Sequence, residues 1–223
     1  MLLAAAQRAG RGATLVGIDL SVAMLQRARD ATKAAGLDNV ELRVMDARDL
    51  QFADESFDCV LCGFALGSIP DPARALSEMR RTLRPAGRLG LVHARGWFFQ
   101  HDPRWTWQED VFGRAGVPVV PYDPGRALAD LTALLRLTHF VDTMVVEESC
   151  PLIFKDEAEW WAWLWSHGSR HLVEQVPSDE LPSLQHALLG GLARCREDDG
   201  LIHGRLRAHI ALASKPGRRA ALE

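Results

Sequence analysis

Long apolar runs are missing from this chain: none of its 223 residues lies in a stretch approaching the roughly 20 apolar positions that a membrane-crossing helix needs. The opening MLLAAA is apolar but has no leading positive charge and is too short for a secretory core segment. Basic character is also scarce. The net charge of −3 and the absence of a Lys/Arg stripe remove the electrostatic case for a nucleic-acid partner. The one basic cluster, KPGRR at 215–219, reads as a solvated tail. Cysteines number four (Cys59, Cys62, Cys150, Cys195), irregularly spaced, which excludes a disulfide framework and suits a reducing cytoplasm. Cys59 and Cys62 form a lone C-x-x-C in an apolar strand. Three-residue spacing puts them on opposite faces, so both are expected to be buried thiols with no shared metal.

What is present is an alternation of strand and helix over the first hundred residues. TLVGID (14–19) reads as a buried strand, followed by Ser21 as N-cap of a helix with Val22, Leu25, Ala28 and Ala31 on its apolar side. Gly36 stops that helix, and VELRVMD (40–46) is the next strand. FDCVLCGFAL (57–66) is apolar on both faces, as a strand covered on either side would be. Asp71-Pro72 supplies a capping acid and first-turn proline to a helix carrying Leu76, Met79 and Leu83, and RLGLVHA (88–94) is a further strand. This rhythm predicts an α/β fold with a doubly wound, mostly parallel sheet.

Beyond Gly96 the rhythm breaks. Residues 97–125 predict an irregular excursion, followed by a helix near 126–137, a strand near 143–149 and helices near 156–172 and 178–197. In RLRAHIALAS, Leu206, Ala208, Ile210 and Leu212 alternate with Arg205, Arg207 and His209. That predicts a half-exposed antiparallel edge strand with His209 on the polar face.

Ligands of open α/β sheets bind at the carboxyl ends of the strands. Those ends are Asp19, Asp46-Ala47, Gly63-Phe64 and His93. A carboxylate at Asp19 can accept from both hydroxyls of a ribose, and Asp46 from an adenine amino group while the Ala47 N–H faces a ring nitrogen. Leu20 and Met24 would form the apolar floor under the base. An acid in the position of Asp19 normally follows a glycine-rich turn by about 20 residues. Here only 18 residues precede it, and MLLAAAQRAG is helical in composition.

GIDLSVAMLQRAR together with VELRVMDARDLQFADESFDCVLCGFALGSIPDPARALSEMRRTLRPAGRLGLV resembles the class I S-adenosylmethionine-dependent methyltransferases, within them the type 11 and ubiquinone/menaquinone-biosynthesis group. The resemblance covers residues 1 to about 95. It implies S-adenosyl-L-methionine as cofactor, with Asp19 on the ribose, Asp46 and Ala47 on the adenine, and the stretch from Phe57 to Asp71, with Gly63 and Phe64, at the methionine end. The group's RPGGR turn stands here as RPAGR, departing at Ala86. The group's first strand and glycine-rich loop would lie before Met1. The expectation is therefore an incomplete core, from a misplaced start or a truncation, or else a natural shortening with a new, non-catalytic role.

On the acceptor side, His93 is the expected general base, where the acceptor must lose a proton, and His101 a weaker one. Trp160 to Trp165 hold four tryptophans; Trp161 and Trp165 share a helical face. With Trp97, Phe98, Phe99, Trp105 and Trp107 they suggest an aromatic-lined lid over a small aromatic or hydrophobic acceptor. His167 and His171 stand one turn apart without an intervening acid, so no metal is expected. The expected organisation is a cofactor-binding core over 1–95, a lid region over 96–200, a final edge strand over 201–215 and a tail over 216–223. A nicotinamide-dependent oxidoreductase is the competing reading of Asp19. The Asp46-Ala47 pair speaks against it, and so does a lone tyrosine, Tyr122, with no Tyr-x-x-x-Lys pair.

Overall fold

The computed structural model describes residues 1–10, 12–94, 98–119, 124–166 and 168–218. The chain divides into two compact units: Met1–His93 with Leu131–Val145 and Ala211–Glu223, and Ala94–Asp130 with Val146–Ile210.

The first unit opens with helix α1 (Leu2–Ala9), strand β1 (Leu15–Asp19), helix α2 (Val22–Ala34) and strand β2 (Val40–Val44). The Ser21 hydroxyl accepts from the Met24 N–H at 3.3 Å, and Gly36 adopts φ 64 after the helix, as its cap and stop residues imply. β1 and β2 pair in parallel, Leu15 opposite Val40 through Asp19 opposite Val44. Strand β3 (Phe57–Gly63), helix α3 (Pro72–Thr82) and strand β4 (Leu83–His93) follow. The Asp71 carboxylate caps α3 through the Arg74 N–H at 3.0 Å. β3 and β4 are also parallel, Cys59 opposite Arg88 through Gly63 opposite Val92.

The sheet is in two pieces. β1 and β2 stand as a pair, while β3 and β4 belong to a four-stranded sheet ordered β3-β4-β6-β5, with β5 at Val141–Phe154 and β6 at Ile202–Ser214. Among the described residues, neither β1 nor β3 has a strand on its second edge. The start of α1 lies over both: a Cβ at Gly17 of β1 would come 3.2 Å from Leu2 Cδ2, and one at Gly63 of β3 2.9 Å from the Met1 sulfur. Two consecutive side chains thus bridge the two pieces, and glycine on each strand makes the room.

β3 is therefore buried on one face only, against the expectation of cover on both sides. Cys62 is buried, but Cys59 is exposed and Leu61 is 46% exposed, which corrects the reading of Cys59 as a buried thiol. β6 lies one place in from the edge, and β5 takes the edge position. The alternation along β6 changes phase. Ile202 and Gly204 are buried at its start, His209, Ala211 and Ala213 further on, so His209 is 1% exposed and Leu212 faces outward. A period of two carries no information on where a strand shifts phase.

The tail reading of KPGRR is corrected at Lys215, while Pro216, Gly217 and Arg218 are exposed. The Lys215 ammonium donates to the carbonyls of Leu83 (2.7 Å) and Arg81 (3.4 Å), which the end of α3 leaves without helical partners. Its backbone exchanges bonds with two residues, Ala86 N–H to Lys215 O and Lys215 N–H to Gly87 O. Two residues opposing one is a bulge whose first position is left-handed, and Ala86 has φ 63. Arg218 pairs with Glu55 at 2.7 Å. The core of this unit joins Ala75, Leu76 and Met79 of α3 to Leu83, Leu89 and Leu91 of β4, together with Leu131, Leu135, Phe140, Ala211 and Ala213.

The second unit contains helix α4 (Trp107–Arg114), where only irregular chain was expected over 97–125. Asp102-Pro103 repeats the Asp-Pro pair of α3, but it caps a short 3-10 turn, Pro103–Trp105, through the Arg104 N–H at 3.0 Å, while Thr106 at the start of α4 makes no side-chain cap. Helix α5 (Pro124–Leu137) precedes β5. The helix expected over 156–172 is split into α6 (Glu157–Trp165) and α7 (Arg170–Val173). The Ser166 hydroxyl turns back onto the Trp163 carbonyl at 2.7 Å where α6 ends. Helix α8 (Leu181–Gly191) runs into a short 3-10 turn, Leu192–Cys195. Phe99, Trp105, Phe112, Trp160, Leu164 and Leu188 anchor this unit's core. Gly204 lets the Trp105 ring lie against β6, where the indole N–H donates to the His203 carbonyl at 2.8 Å.

Candidate functional site

The parallel register of β1 and β2 brings Asp19 and Asp46 to neighbouring strand tips, and the Met45 N–H donates to the Asp19 carbonyl at 3.2 Å between them. Asp19 is exposed, and its Oδ1 accepts from the Ser21 N–H at 2.8 Å. Beside it Leu20 and Met24 present apolar surface at 66% and 51% exposure, high for such residues.

Asp46 is engaged within its own loop. Its Oδ1 accepts from the Arg48 N–H at 2.8 Å, and Arg48 Nη2 reaches Oδ2 at 2.7 Å with Nε at 3.1 Å from both oxygens. The Arg48 guanidinium, then its backbone N–H, hold the Asp46 carboxyl down to a pKa of about 2. Asp46, Arg48, Asp49, Asp71 and Arg74 line a cavity of about 240 Å³. Ala47 is partly buried against the first unit's core.

At the tip of β3, Gly63 is followed by Phe64, exposed and left-handed at φ 58, its N–H donating to the Val92 carbonyl at 2.7 Å. A bulky residue there carries backbone strain of about 1–3 kcal/mol, and such strain concentrates at functional sites. His93 ends β4 and is buried.

In the second unit the Trp161 and Trp165 rings meet edge to face at 5.9 Å, as their spacing predicts, and both are partly buried against the core. Phe99 and Trp105 are fully buried, so their rings serve packing and cannot line an open pocket. His101 is buried too, and its Nδ1 accepts from the Arg207 N–H at 2.9 Å. Trp97 and His167 lie outside the described residues. Among the described residues no cluster suited to a metal ion occurs. Sequence reasoning missed Arg48, Arg74, Glu78 and Arg81, though the last three stand four and three residues apart on α3, a spacing that marks one helical face.

Residues 1–91 match the family described as Methyltransferase domain. Over 80 residues the chain is 46% identical to a phosphatidylethanolamine N-methyltransferase of Cereibacter sphaeroides, covering 35% of this chain and 39% of that protein. Over 114 residues it is 36% identical to a demethylmenaquinone methyltransferase of Listeria welshimeri, covering 49% and 48%. The match places residues 1–91 with methyltransferase domains. Solved structures share this fold. The YcgJ protein of Bacillus subtilis aligns with a TM-score of 0.56 at 19% identity, over 91% of this chain and 82% of its own. A putative methyltransferase of Bacillus halodurans C-125 gives 0.54 at 19%, over 92% and 84%. The chain spans about half the length of the curated relatives it matches, or less. No described helix is long and apolar enough to cross a membrane.

The donor set of the methyltransferase domain fits a nucleoside. Two carboxylates have the chemistry to accept from hydroxyl and amino groups, and an exposed Leu–Met pair can lie under a flat base.

Proposed function

We propose that this chain transfers the methyl group of S-adenosyl-L-methionine to a small acceptor with an aromatic or apolar portion. The observation carrying the reading is the placement of Asp19 and Asp46 on the tips of two hydrogen-bonded parallel strands, with Leu20 and Met24 uncovered beside them. Asp19 takes the ribose hydroxyls, Asp46 the adenine amino group, the Ala47 N–H a ring nitrogen, and Gly63 and Phe64 the methionine end. When bound, the cofactor supplies a sulfonium methyl, an electrophile that needs no metal.

Displacement at that carbon requires an in-line nucleophile and exclusion of water, so alignment supplies much of the rate. His93 is assigned to accept the proton of an O–H, N–H or C–H acceptor. Its ring is buried, which keeps bulk water from competing for that role. The Trp161–Trp165 pair is assigned to apolar contact with the acceptor. Similarity to a quinone methyltransferase and a phospholipid headgroup methyltransferase supports an acceptor of mixed polarity.

Calorimetry of the full chain with S-adenosylhomocysteine and with NAD tests the reading. Binding of the first alone is expected. Asp19→Asn should weaken it by about tenfold or more, the scale of one charge-assisted hydrogen bond. Binding of NAD alone, or an unchanged affinity in the variant, refutes it. Transfer of labelled methyl to quinol-type and aminophospholipid acceptors in parallel then sorts the acceptor class.

A further inference from the structure

Helix α3 has two working faces. Ala75, Leu76 and Met79 enter the core, while Arg74, Glu78 and Arg81, at i, i+4 and i+7, face the loop that joins β2 to β3. That loop begins with Asp46-Ala47, and side chains of α3 satisfy several of the backbone groups that its own internal bonds leave over. Arg74 Nε donates to the Arg48 carbonyl at 2.8 Å. Leu50 is gripped from both sides, its N–H by Glu78 Oε2 at 2.9 Å and its carbonyl by Arg81 Nη2 at 2.7 Å. Arg81 Nη1 adds the Phe52 carbonyl at 2.8 Å and the Asp54 carboxylate at 2.7 Å. Glu78 and Arg81 lock each other through two bonds of 2.8 Å.

We infer that Arg74, Glu78 and Arg81 are positioning residues that set the adenine-recognising tip through its loop, Arg74 from the wall of the same cavity and the other two from further along α3. A continuous chain of contacts leads there: Arg74 holds the Arg48 backbone, and the Arg48 guanidinium holds both oxygens of Asp46. An interaction of this kind is worth more than its own bond, because it fixes the direction of the carboxylate that must meet the amino group of the base. The inference rests on the assignment of Asp46 to adenine, and the test separates the two.

S-adenosylhomocysteine and S-inosylhomocysteine differ at the ring edge assigned to the Asp46-Ala47 tip, since the oxo group of the latter cannot donate to the Asp46 carboxylate and its protonated N1 cannot accept from the Ala47 N–H. The full-length wild type should prefer the adenosyl ligand by about tenfold in calorimetry. Arg74→Met, an exposed position with little risk to folding, and Glu78→Gln should each erase most of that preference. Their affinity for the inosyl ligand should stay within about twofold, within the roughly 0.5 kcal/mol typical of changes away from a contact. If both ligands weaken equally, or the preference survives in both variants, the clamp is merely structural and the inference falls. A wild type that does not discriminate between the ligands, or binds neither, overturns the reading of Asp46 and with it the clamp.

Discussion

Replacing Ala86 with glycine should stabilise this protein, although it removes a methyl group and touches no apolar contact. Ala86 is exposed and holds φ 63, the left-handed position of a bulge pinned by Lys215 through bonds of 3.1 and 2.9 Å. A residue with a Cβ gives up about 1–2 kcal/mol there, a cost that glycine does not bear. The freer unfolded chain of the glycine variant returns about 0.4–1 kcal/mol in the opposite direction. The net is a gain of about 0.5–1 kcal/mol, or roughly 1–4 °C in Tm for a chain of this size. The neighbouring position should respond with the opposite sign. A Cβ at Gly87 would lie 2.8 Å from the Arg84 carbonyl oxygen, so Gly87→Ala should cost about 1–3 kcal/mol. Urea and thermal unfolding of both variants provide the measurement. A destabilised Ala86→Gly, or a Gly87→Ala as stable as the wild type, would refute the bulge geometry.

Three further outcomes are expected. The Asp46 carboxyl, with its pKa depressed from 3.8 to about 2 by Arg48, adds stability that is present above pH 3.8 and is lost as pH falls through about 2. Carbon NMR should place its midpoint near 2 and show it rise in Arg48→Ala; a wild-type midpoint at 3.8 would mean the pair does not form in solution. Cys59 and Cys150 should label with a thiol reagent in the native protein, and Cys62 and Cys195 only after unfolding, as mass spectrometry can count. Protection of Cys59 would contradict the uncovered face of β3. A Cβ at Gly204 would meet the Trp105 ring at 2.3 Å, so Gly204→Ala should lose at least about 1–3 kcal/mol. Trp105→Phe in the same background should recover part of that loss, and failure to recover it would place the clash elsewhere.

Much of the first unit was legible from its punctuation. Ser21, Gly36 and Asp71-Pro72 act through their immediate neighbours, and each caps or stops the helix it marks. Asp19 and Asp46 were legible because they end apolar strand runs, and parallel pairing puts such ends side by side. The missed helix α4 carries no such mark: the Asp-Pro pair at 102–103 caps the short 3-10 turn just before it, and Thr106 at its own start makes no side-chain cap. Other features have no local signature. The Arg74, Glu78 and Arg81 side chains reach 26 to 31 residues away, and charged residues on a helix face look the same in sequence whether they hold a loop or meet water.

The sequence by itself determined the order of strands and helices in the first unit, the acids at the β1 and β2 tips, and the kinship with methyltransferases. All of these follow from short-range periodicity, capping chemistry and contiguous motifs. Only the tertiary structure decided that the sheet stands in two pieces spanned by Met1 and Leu2, that β3 keeps one face open, and that His209 turns inward. Lys215 likewise proved to close the end of α3 rather than trail in solvent. The reason is physical: burial and pairing depend on which distant segment arrives at a given edge or face, and nothing in a local stretch of chain encodes that arrival.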